Sequence, residues 1–379
     1  MKKKICILGS TGSIGKTTLQ ILSQNKKDFE VVLLSGNSNV DLLISQAKKF
    51  KPIYIYYNNF YFKDKIQTFC KKNKINFIDN LKSLKKIKFD ITVSAISGIA
   101  GLIPTLDIIK YSKKILIANK ESIICGWKFI LKELNKFNCK FIPIDSEHFS
   151  IFNLIENKNL NSIKYIYLTA SGGPFYGKNI NLSKVTPSQA INHPNWQMGK
   201  KISVDSANLM NKLLEVIEAS LIFNLPINRF KIIIHPQSLI HAIVEFENGL
   251  SSMLHHVNDM KIPIANSLYN NSYIDFKKKN VFYLDRNLSF YSPDIKKFPS
   301  IKIIKLTHVL NETGFILINV LNEILVMRFL DSKIHFTDIV HNLLDILNSK
   351  IAKNYLKNNR IRHINDVFKA YNFSRSLLN

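Results

Sequence analysis

The sequence predicts an α/β fold that begins with a doubly wound parallel sheet, continues into a second α/β domain and ends in a small helical domain. In the N-terminal part, short apolar segments alternate with helical patterns, an order typical of βαβ units. These predicted strands are Lys4–Leu8, Glu30–Leu34, Ile53–Tyr57, Ile91–Ala95 and Ile115–Ala118. A glycine-rich turn follows the first strand, and 379 residues with 46% hydrophobic content can bury two or three cores.

The first predicted strand runs directly into the turn Gly9–Gly15, GSTGSIG, and then into a predicted helix over 16–23. Glycines let the backbone approach a pyrophosphate, and the N-terminus of the following helix favours an anion. A strand, a glycine turn and a helix at the start of a sheet therefore predict a Rossmann-like dinucleotide site. A tight turn that binds no ligand is the alternative.

The second predicted strand ends in Ser35-Gly36-Asn37-Ser38-Asn39. Enzymes that use NAD usually carry an Asp or Glu at this point, which hydrogen-bonds the ribose hydroxyls. This turn has neither, so no carboxylate repels a 2′-phosphate, and NADPH is the favoured cofactor. The turn also lacks an Arg or Lys that would attract that phosphate.

Two carboxylates follow the apolar segment 140–144, in the sequence Asp145-Ser146-Glu147-His148. Hard oxygen ligands suit Mg²⁺ or Mn²⁺, and Glu215 is the candidate for a third carboxylate. The alternative is that Asp145 or Ser146 caps a helix over 149–157.

The stretch His193–Glu218 combines a polar loop with a predicted helix. Asp205 or Ser206 is the predicted N-cap, and a free helix N-terminus beside Ser206 predicts a phosphate site. At about 100° per residue, the polar residues share one arc of roughly 120°. They are Asn208, Asn211, Lys212, Glu215 and Glu218. A solvated face with Lys–Glu pairs is the alternative. Trp196 has no apolar neighbours in the loop, so the loop is predicted to cover a ligand.

Polar residues also stand at three more predicted strand ends, in the segments 119–122, 169–175 and 235–238. The serine and two glycines of the segment 169–175 can expose backbone N–H groups to a phosphate. The alternatives are a capped turn, an ordinary turn and a structural histidine.

The formal net charge of +26 comes from lysines that are dispersed along the chain. Without clustered arginines, a reading helix or an aromatic RNA motif, a nucleic-acid partner is not expected. A positive field still helps to attract an anionic substrate. The apolar run Gly314–Leu330 contains Asn319, Asn322, Glu323 and Arg328, which indicates a buried or amphipathic helix and no membrane span.

The four cysteines, Cys6, Cys70, Cys125 and Cys139, are widely spaced and form no CxxC pair. This usage fits a reducing compartment, and the first residues lead directly into a strand, so we expect a cytoplasmic protein without a signal peptide. A semialdehyde dehydrogenase would need a nucleophilic cysteine, and Cys125, the candidate, has no evident histidine base in the sequence beside it.

Six motifs occur in the order found in one enzyme family. They are GSTGSIG, ANKES, PIDSEH, SGGPF, HPNWQMGKKISVDSANLMNKLLE and IHPQSLIH. From residue 1 to about 270, and more faintly through FTDI at 336–339, the sequence resembles the 1-deoxy-D-xylulose 5-phosphate reductoisomerases. The resemblance implies rearrangement of that sugar phosphate and its reduction by NADPH to 2-C-methyl-D-erythritol 4-phosphate, the committed step of the non-mevalonate isoprenoid route. It also implies a divalent metal, Mg²⁺ or Mn²⁺, with Co²⁺ as a further candidate.

The resemblance also implies residue roles. The metal ligands would be Asp145, Glu147 and Glu215, and the catalytic residues would be Lys120, Glu147, His193 and His235. Substrate would contact Lys120, Ser146, Glu147, Ser171, His193, Trp196, Ser206, Asn211, Lys212 and Glu215, with Ser171, Ser206, Asn211 and Lys212 at the phosphate. NADPH would contact Thr11, Gly12, Ser13, Ile14, Asn37, Ser38, Asn39, Asn119, Glu121 and Gly199. His193 and Trp196 would belong to a lid that excludes water.

We predict an NADPH-binding domain over 1–145, a catalytic and metal-binding domain over 146–270, a polar connector over 271–300 and a helical domain over 301–379. The family resemblance implies a homodimer as well. Two departures stand out. The second cofactor turn has Asn37 and Ser38 where the family often has Gly and a basic residue. The family's Asn-Ala-Ala-Asn-Glu becomes 319–323, NVLNE, a change that predicts altered packing but no effect on the chemistry.

Overall fold

The computed structural model describes residues 1–85, 87–194, 196, 198–269, 287–307 and 310–378. Within these residues the chain forms two compact units. The first comprises 1–149 and 259–269, and the second comprises 150–258 and the described residues beyond 286. The predicted boundaries at 145, 270 and 300 stay predictions, and most of the predicted connector lies outside the described residues.

The first unit is built on a parallel sheet of seven strands. They are β1 (Lys3–Leu8), β2 (Phe29–Ser35), β3 (Tyr54–Tyr56), β4 (Asn76–Ile78), β5 (Phe89–Ser94), β6 (Ser112–Ile117) and β7 (Lys140–Pro143). Their order is β4-β3-β2-β1-β5-β6-β7, and every pairing is parallel. The order reverses beside β1, which is the switch point where doubly wound sheets bind ligands. The predicted fold class is confirmed.

Helices connect these strands. They are α1 (Ser13–Gln24), α2 (Val40–Phe50), α3 (Lys63–Lys72), α4 (Leu102–Ile109) and α5 (Lys120–Phe137), and α10 (Lys261–Tyr269) returns to this unit. Helix α6 (Ser146–Ile155) follows β7, and its Ile151 and Ile155 pack in the core of the second unit. In the central strand, Ile5, Cys6, Ile7 and Leu8 are fully buried. Strands covered on both faces need continuous apolar runs, which is why the sequence of β1 does not alternate. The polar turns after β1, β2, β6 and β7 follow the carboxyl ends of parallel strands and share one edge of the sheet.

The second unit contains a mixed sheet in the order β11-β10-β8-β9. Its strands are β8 (Ile163–Ala170), β9 (Phe230–Ile234), β10 (Ile240–Phe246) and β11 (Ser251–His255), and α7 (Pro187–Ile191), α8 (Lys200–Ala207) and α9 (Met210–Phe223) lie between β8 and β9 in the chain. Strand β8 pairs parallel with β9 and antiparallel with β10. Val216, Ala219 and Phe223 of α9 pack on this sheet.

Five helices follow in the described residues beyond 286. They are α11 (Ile301–Thr307), α12 (Glu312–Leu330), α13 (Asp338–Asn348), α14 (Lys350–Asn358) and α15 (Ile364–Ser376). Helix α12 is long and apolar enough to span a membrane by length and composition, yet 72% of its most apolar window is buried inside the protein. The predicted buried helix at 314–330 is confirmed. Short 3₁₀ turns occur at Phe60–Phe62, Leu81–Ser83, Ile99–Gly101, Leu160–Ser162, Leu182–Lys184 and Ile227–Arg229.

Candidate active site

The glycine turn after β1 has the geometry that a dinucleotide turn requires. Gly9 has φ +82°, and a Cβ there would lie 2.5 Å from the carbonyl oxygen of Ala95. A Cβ on Gly15 would collide with the backbone of Gly9 and Ser10. The two glycines therefore bring α1 against β1, and Gly12 and Ser13 are exposed at the helix start. With no side-chain cap on Gly12, the N–H groups of the first turn can receive an anion. Thr11 and Ile14 flank this point.

The second turn, after β2, is held by amide side chains. Asn39 Oδ1 accepts a hydrogen bond from Leu42 N at 3.1 Å and caps α2. Asn59 Nδ2 donates to Asn37 Oδ1 at 2.7 Å, which ties the turn to the end of β3. Asn37 and Ser38 are not among the described residues with positive φ, so the turn does not need the glycine that the family often has.

Asn119 joins two segments through its side-chain amide. It caps α5 by accepting from Ser122 N, and its Nδ2 donates to the carbonyl oxygens of Ile96 and Gly98. Asn119 is 3% exposed, so its side chain shapes the wall after β5 and β6. Lys120 and Glu121 form the first turn of α5.

The acidic segment after β7 is both a helix start and a carboxylate cluster. Asp145 Oδ1 accepts from Glu147 N at 3.3 Å and lies 3.1 Å from His148 Nδ1, so the capping interpretation is confirmed. Asp145 Oδ2 lies 3.8 Å from Lys120 Nζ. Ser146 Oγ donates to Glu147 Oε2 at 2.5 Å, and Glu147 is 9% exposed. The fully buried His148 was missed from the sequence, although its position three residues after Asp145 on a helix indicated the contact.

The predicted single helix starting at Asp205 or Ser206 is wrong. Helix α8 ends at Ala207, Leu209 has φ +62°, and α9 begins at Met210. Ser206 therefore lies in the last turn of α8 and not at a helix N-terminus. Asp205 is not a cap either, because it is 1% exposed and ion-paired with Lys201 at 3.1 Å.

On α9 the predicted polar arc is confirmed for Asn211, Lys212, Glu215 and Glu218, and it is wrong for Asn208, which ends α8 before the break at Leu209. The arc is not solvated. Asn211 Nδ2 donates to Glu215 Oε1, and Lys212 Nζ donates to Glu215 Oε2 at 2.8 Å. Lys212 is 8% exposed, Glu215 1% and Glu218 3%. Burying charge is costly unless it is paired, so this face is built for a purpose other than solubility. The alternative of a solvated face is wrong.

The Ser171-Gly172-Gly173 loop approaches α8 closely. Gly172 and Gly173 have φ +84° and +68°, and a Cβ on Gly173 would lie 2.9 Å from Ala207 Cα and 3.1 Å from the Ser206 oxygen. Ser171 thereby comes to the region of Ser206. The Ser171 hydroxyl accepts from Gly173 N at 3.1 Å and lies 3.0 Å from His193 Nε2.

The hydrogen bonds of His193 fix its tautomer. Its Nδ1 accepts from Trp196 N at 3.0 Å, so the remaining proton of the neutral ring is on Nε2 and points to Ser171 Oγ. Burial, together with the positive charge of Lys212, lowers the pKa of His193 to about 4. A neutral His193 therefore donates to Ser171, whose own hydroxyl proton is left to donate to an anion.

Three further predicted residues occupy different surroundings. Trp196 contacts His241 edge-on, with ring centroids 6.1 Å apart. His235 directly follows β9 and is fully buried. Its Nδ1 lies 3.0 Å from the Ser289 carbonyl oxygen, and its ring stacks on Phe290. Burial lowers the pKa of His235. Gly199 is exposed before α8, with open space around its Cβ direction.

Family models match most of the chain. The model of 1-deoxy-D-xylulose 5-phosphate reductoisomerase matches residues 5–126, and two models of its C-terminal domains match 141–223 and 256–377. Curated proteins named as this reductoisomerase are similar along nearly the whole length. The protein of Pelagibacter ubique is 45% identical over 96% of both chains. That of Wolbachia pipientis subsp. Culex pipiens is 39% identical over 100% of this chain and 97% of its own.

Solved structures agree with these sequence relationships. The reductoisomerase of Zymomonas mobilis in complex with NADPH is 30% identical, with a TM-score of 0.87 over 100% of this chain and 98% of its own. A DOX-P reductoisomerase in complex with NADPH, fosmidomycin and magnesium is 32% identical, with a TM-score of 0.89 over 99% of this chain and 98% of its own. With the glycine turn, the acidic helix start and the buried polar face in place, the chain belongs to the 1-deoxy-D-xylulose 5-phosphate reductoisomerase family.

Proposed function

We propose that this chain converts 1-deoxy-D-xylulose 5-phosphate to 2-C-methyl-D-erythritol 4-phosphate, the committed step of non-mevalonate isoprenoid precursor biosynthesis. NADPH and a divalent metal take part, as in the relatives solved with NADPH and magnesium. The single observation that carries the proposal is the buried face of α9, where Asn211 and Lys212 both bond Glu215. That face offers a cation for a phosphate and a carboxylate for a metal within one helical turn.

For the metal we propose Asp145, Glu147 and Glu215 as ligands. Asp145 and Glu147 stand together at the start of α6, and Glu215 is a buried carboxylate on α9, which supports carboxylate ligands for an ion. Three carboxylates form a hard oxygen donor set that fits Mg²⁺ or Mn²⁺, and Co²⁺ is a further candidate. When bound, the metal supplies Lewis-acid stabilisation of negative charge on the substrate oxygens.

For the phosphate we propose Ser171, Ser206, Asn211 and Lys212. The hydroxyl proton of Ser171 is available because His193 and Gly173 already donate to its oxygen. Lys212 adds positive charge in a buried setting, where electrostatic attraction is stronger than in water. Holding the phosphate fixes the substrate in the orientation for reaction, which lowers the entropic part of the barrier.

For the cofactor we propose contacts to Thr11, Gly12, Ser13, Ile14, Asn37, Ser38, Asn39, Asn119, Glu121 and Gly199. The exposed N–H groups at the start of α1 support a pyrophosphate at this point. Bound by these residues, NADPH would supply the hydride that reduces the rearranged aldehyde.

The remaining proposed roles concern charge, protons and water. Lys120 contacts the substrate hydroxyls and is already held near Asp145. Glu147 accepts a proton from a substrate hydroxyl through Ser146, whose hydroxyl donates to it at 2.5 Å. His193 and Trp196 cover the substrate and exclude water, and the hydrogen bond of Trp196 N to His193 makes them one unit. His235 contributes a buried neutral imidazole.

A homodimer and a cytoplasmic location are further proposals, and the family resemblance supports the first. Four widely spaced, buried cysteines support the second, since sparse cysteine usage fits a reducing compartment. Sedimentation of the purified protein at micromolar concentration tests the dimer, which a single monomeric species would contradict. Imaging of the tagged protein in cells tests the location.

The deciding experiment follows NADPH absorbance with 1-deoxy-D-xylulose 5-phosphate and Mg²⁺ or Mn²⁺ at saturation. We expect oxidation of NADPH that stops when the metal is chelated and does not occur when the sugar phosphate is omitted. No oxidation above background in the complete mixture would overturn the proposal. Salt-dependent retention on DNA is the parallel measurement that would favour a nucleic-acid-binding protein.

A further inference from the structure

A buried polar pair joins α8 to the C-terminal helices. Asn322 on α12 donates from Nδ2 to Asp205 Oδ1 at 2.8 Å, and Lys201 Nζ lies 3.1 Å from the other oxygen. Asn322 is fully buried and Asp205 is 1% exposed. A buried carboxylate needs compensating partners, so the position of Asn322 determines where Asp205, and with it the last turn of α8, can lie.

A second contact fixes the next residues. Ser300 Oγ donates to the Asn208 carbonyl oxygen at 2.6 Å, and Ser300 is 1% exposed. Immediately after Asn208, Leu209 has φ +62°, a backbone conformation that residues other than glycine rarely adopt. Such strain persists only where the surroundings over-determine it, and it concentrates at functional sites. Asn322 and Ser300 hold the chain on the N-terminal side of the strained residue.

The junction between α8 and α9, at Leu209, lies between the proposed phosphate residues in the sequence. Ser206 precedes it by three positions, and Asn211 and Lys212 follow it by two and three. The Gly173 loop lies so close to Ser206 and Ala207 that a Cβ would already be in collision. A shift of the junction by a few tenths of an ångström would therefore move Ser206 relative to Ser171 and Lys212.

We propose that Asn322 and Ser300 are positioning residues for the proposed phosphate site, so that the C-terminal helices contribute to substrate affinity. This inference rests on the proposed function, and it gives the 319–323 segment a role in the reaction that its sequence alone does not indicate. Neither residue touches the substrate; both act through the α8–α9 junction.

The test replaces Asn322 by Leu, which keeps the volume and removes the amide. We expect KM for the sugar phosphate and the inhibition constant of inorganic phosphate to rise about tenfold, the factor that matches the loss of about 1.4 kcal/mol. We expect kcat to change less than about twofold and the dissociation constant of NADPH to stay the same. Ser300→Ala should change both phosphate-dependent constants in the same direction.

Val367→Ala is the control for general destabilisation, because Val367 is fully buried in α15 and Ala leaves a cavity among the same helices. It should lower the melting temperature without a change in KM. If Asn322→Leu lowers the melting temperature and leaves KM and the inhibition constant unchanged, the pair is merely structural and the proposal fails.

A rescue experiment identifies the pair itself. The double variant Asp205→Asn with Asn322→Asp exchanges the amide and the carboxylate, which keeps their hydrogen bond but gives up the ion pair with Lys201, and we expect it to recover part of the affinity that either single variant loses. Equal losses in the single and double variants would contradict the proposal. Calorimetric titration of the wild-type protein with inorganic phosphate does not depend on turnover. Two results together would separate this proposal from the proposed function. If the wild-type protein does not oxidise NADPH, the proposed function is rejected. If the wild-type protein nevertheless binds inorganic phosphate and Asn322→Leu weakens that binding, the positioning role is kept.

Discussion

Lys212 Nζ donates to Glu215 Oε2 at 2.8 Å on α9, and both side chains are almost completely buried. The lysine and the carboxylate neutralise one another. A phosphate that binds Lys212 and a metal that binds Glu215 would together replace this ion pair. Divalent cations are the largest local charges in such sites, so these new partners would be stronger than the old ones. The two ligands should therefore bind with positive coupling.

Glu215→Gln should lose metal-dependent turnover, by about 100-fold or more, because an amide cannot replace an anionic metal ligand. The dissociation constant of NADPH should not change. Turnover at saturating Mn²⁺ and NADPH fluorescence titration give the two values. Glu218→Gln is the matched control, since Glu218 lies on the same helix and is 3% exposed. Turnover in Glu215→Gln equal to that of the control would remove Glu215 from the metal site.

Gly173→Ala should raise KM for the substrate strongly, by about tenfold or more. The added Cβ lies 2.9 Å from Ala207 Cα, so the loop with Ser171 must move away from α8. Gly177→Ala separates collision from backbone strain, because Gly177 has φ +69° and open space around its Cβ direction. Both variants should lose about 1 kcal/mol of stability from the positive φ, and Gly177→Ala should keep the wild-type KM. Equal KM values in the two variants would mean that the close approach of Gly173 has no role in binding.

The sequence predicted features that depend on local periodicity or on strand ends. The polar arc of α9 follows from 3.6 residues per turn, and Asp145 and Asn119 stand where parallel strands end. It did not predict the break at Leu209, because leucine carries no preference for positive φ. The residues that hold this break, Ser300 and Asn322, are 92 and 117 positions away from their partners. A contact of that sequence separation leaves no trace in a local pattern.

The protonation state of His193 predicts a pH dependence of stability. Its pKa is about 4 in the folded protein and about 6.5 in an unfolded chain, so between these values the unfolded chain binds more protons. The contribution of His193 to the free energy of unfolding is therefore fully present above pH 6.5 and is lost as pH falls toward 4. His193→Gln should flatten this part of the profile in urea denaturation measured from pH 4 to 8. The exposed His335, changed to Gln as a control, should leave the profile as it is. An unchanged slope in His193→Gln would mean that the histidine is not buried in its neutral form.

Ser38→Arg should tighten NADPH binding, because the second turn carries no positive charge for a 2′-phosphate. Two lysines of α3 are engaged elsewhere, since Lys63 pairs with Asp79 at 2.8 Å and Lys65 with Asp41 at 2.7 Å. An arginine can contact a phosphate through two N–H donors, so we expect the dissociation constant of NADPH to fall about three- to tenfold while that of NADH does not change. Ser38→Gln tests length without charge and should bind both cofactors as the wild type does. If Ser38→Arg binds NADPH no tighter than Ser38→Gln, the 2′-phosphate lies away from this turn. The absence of a basic residue in the turn would then have no effect on the choice between NADPH and NADH.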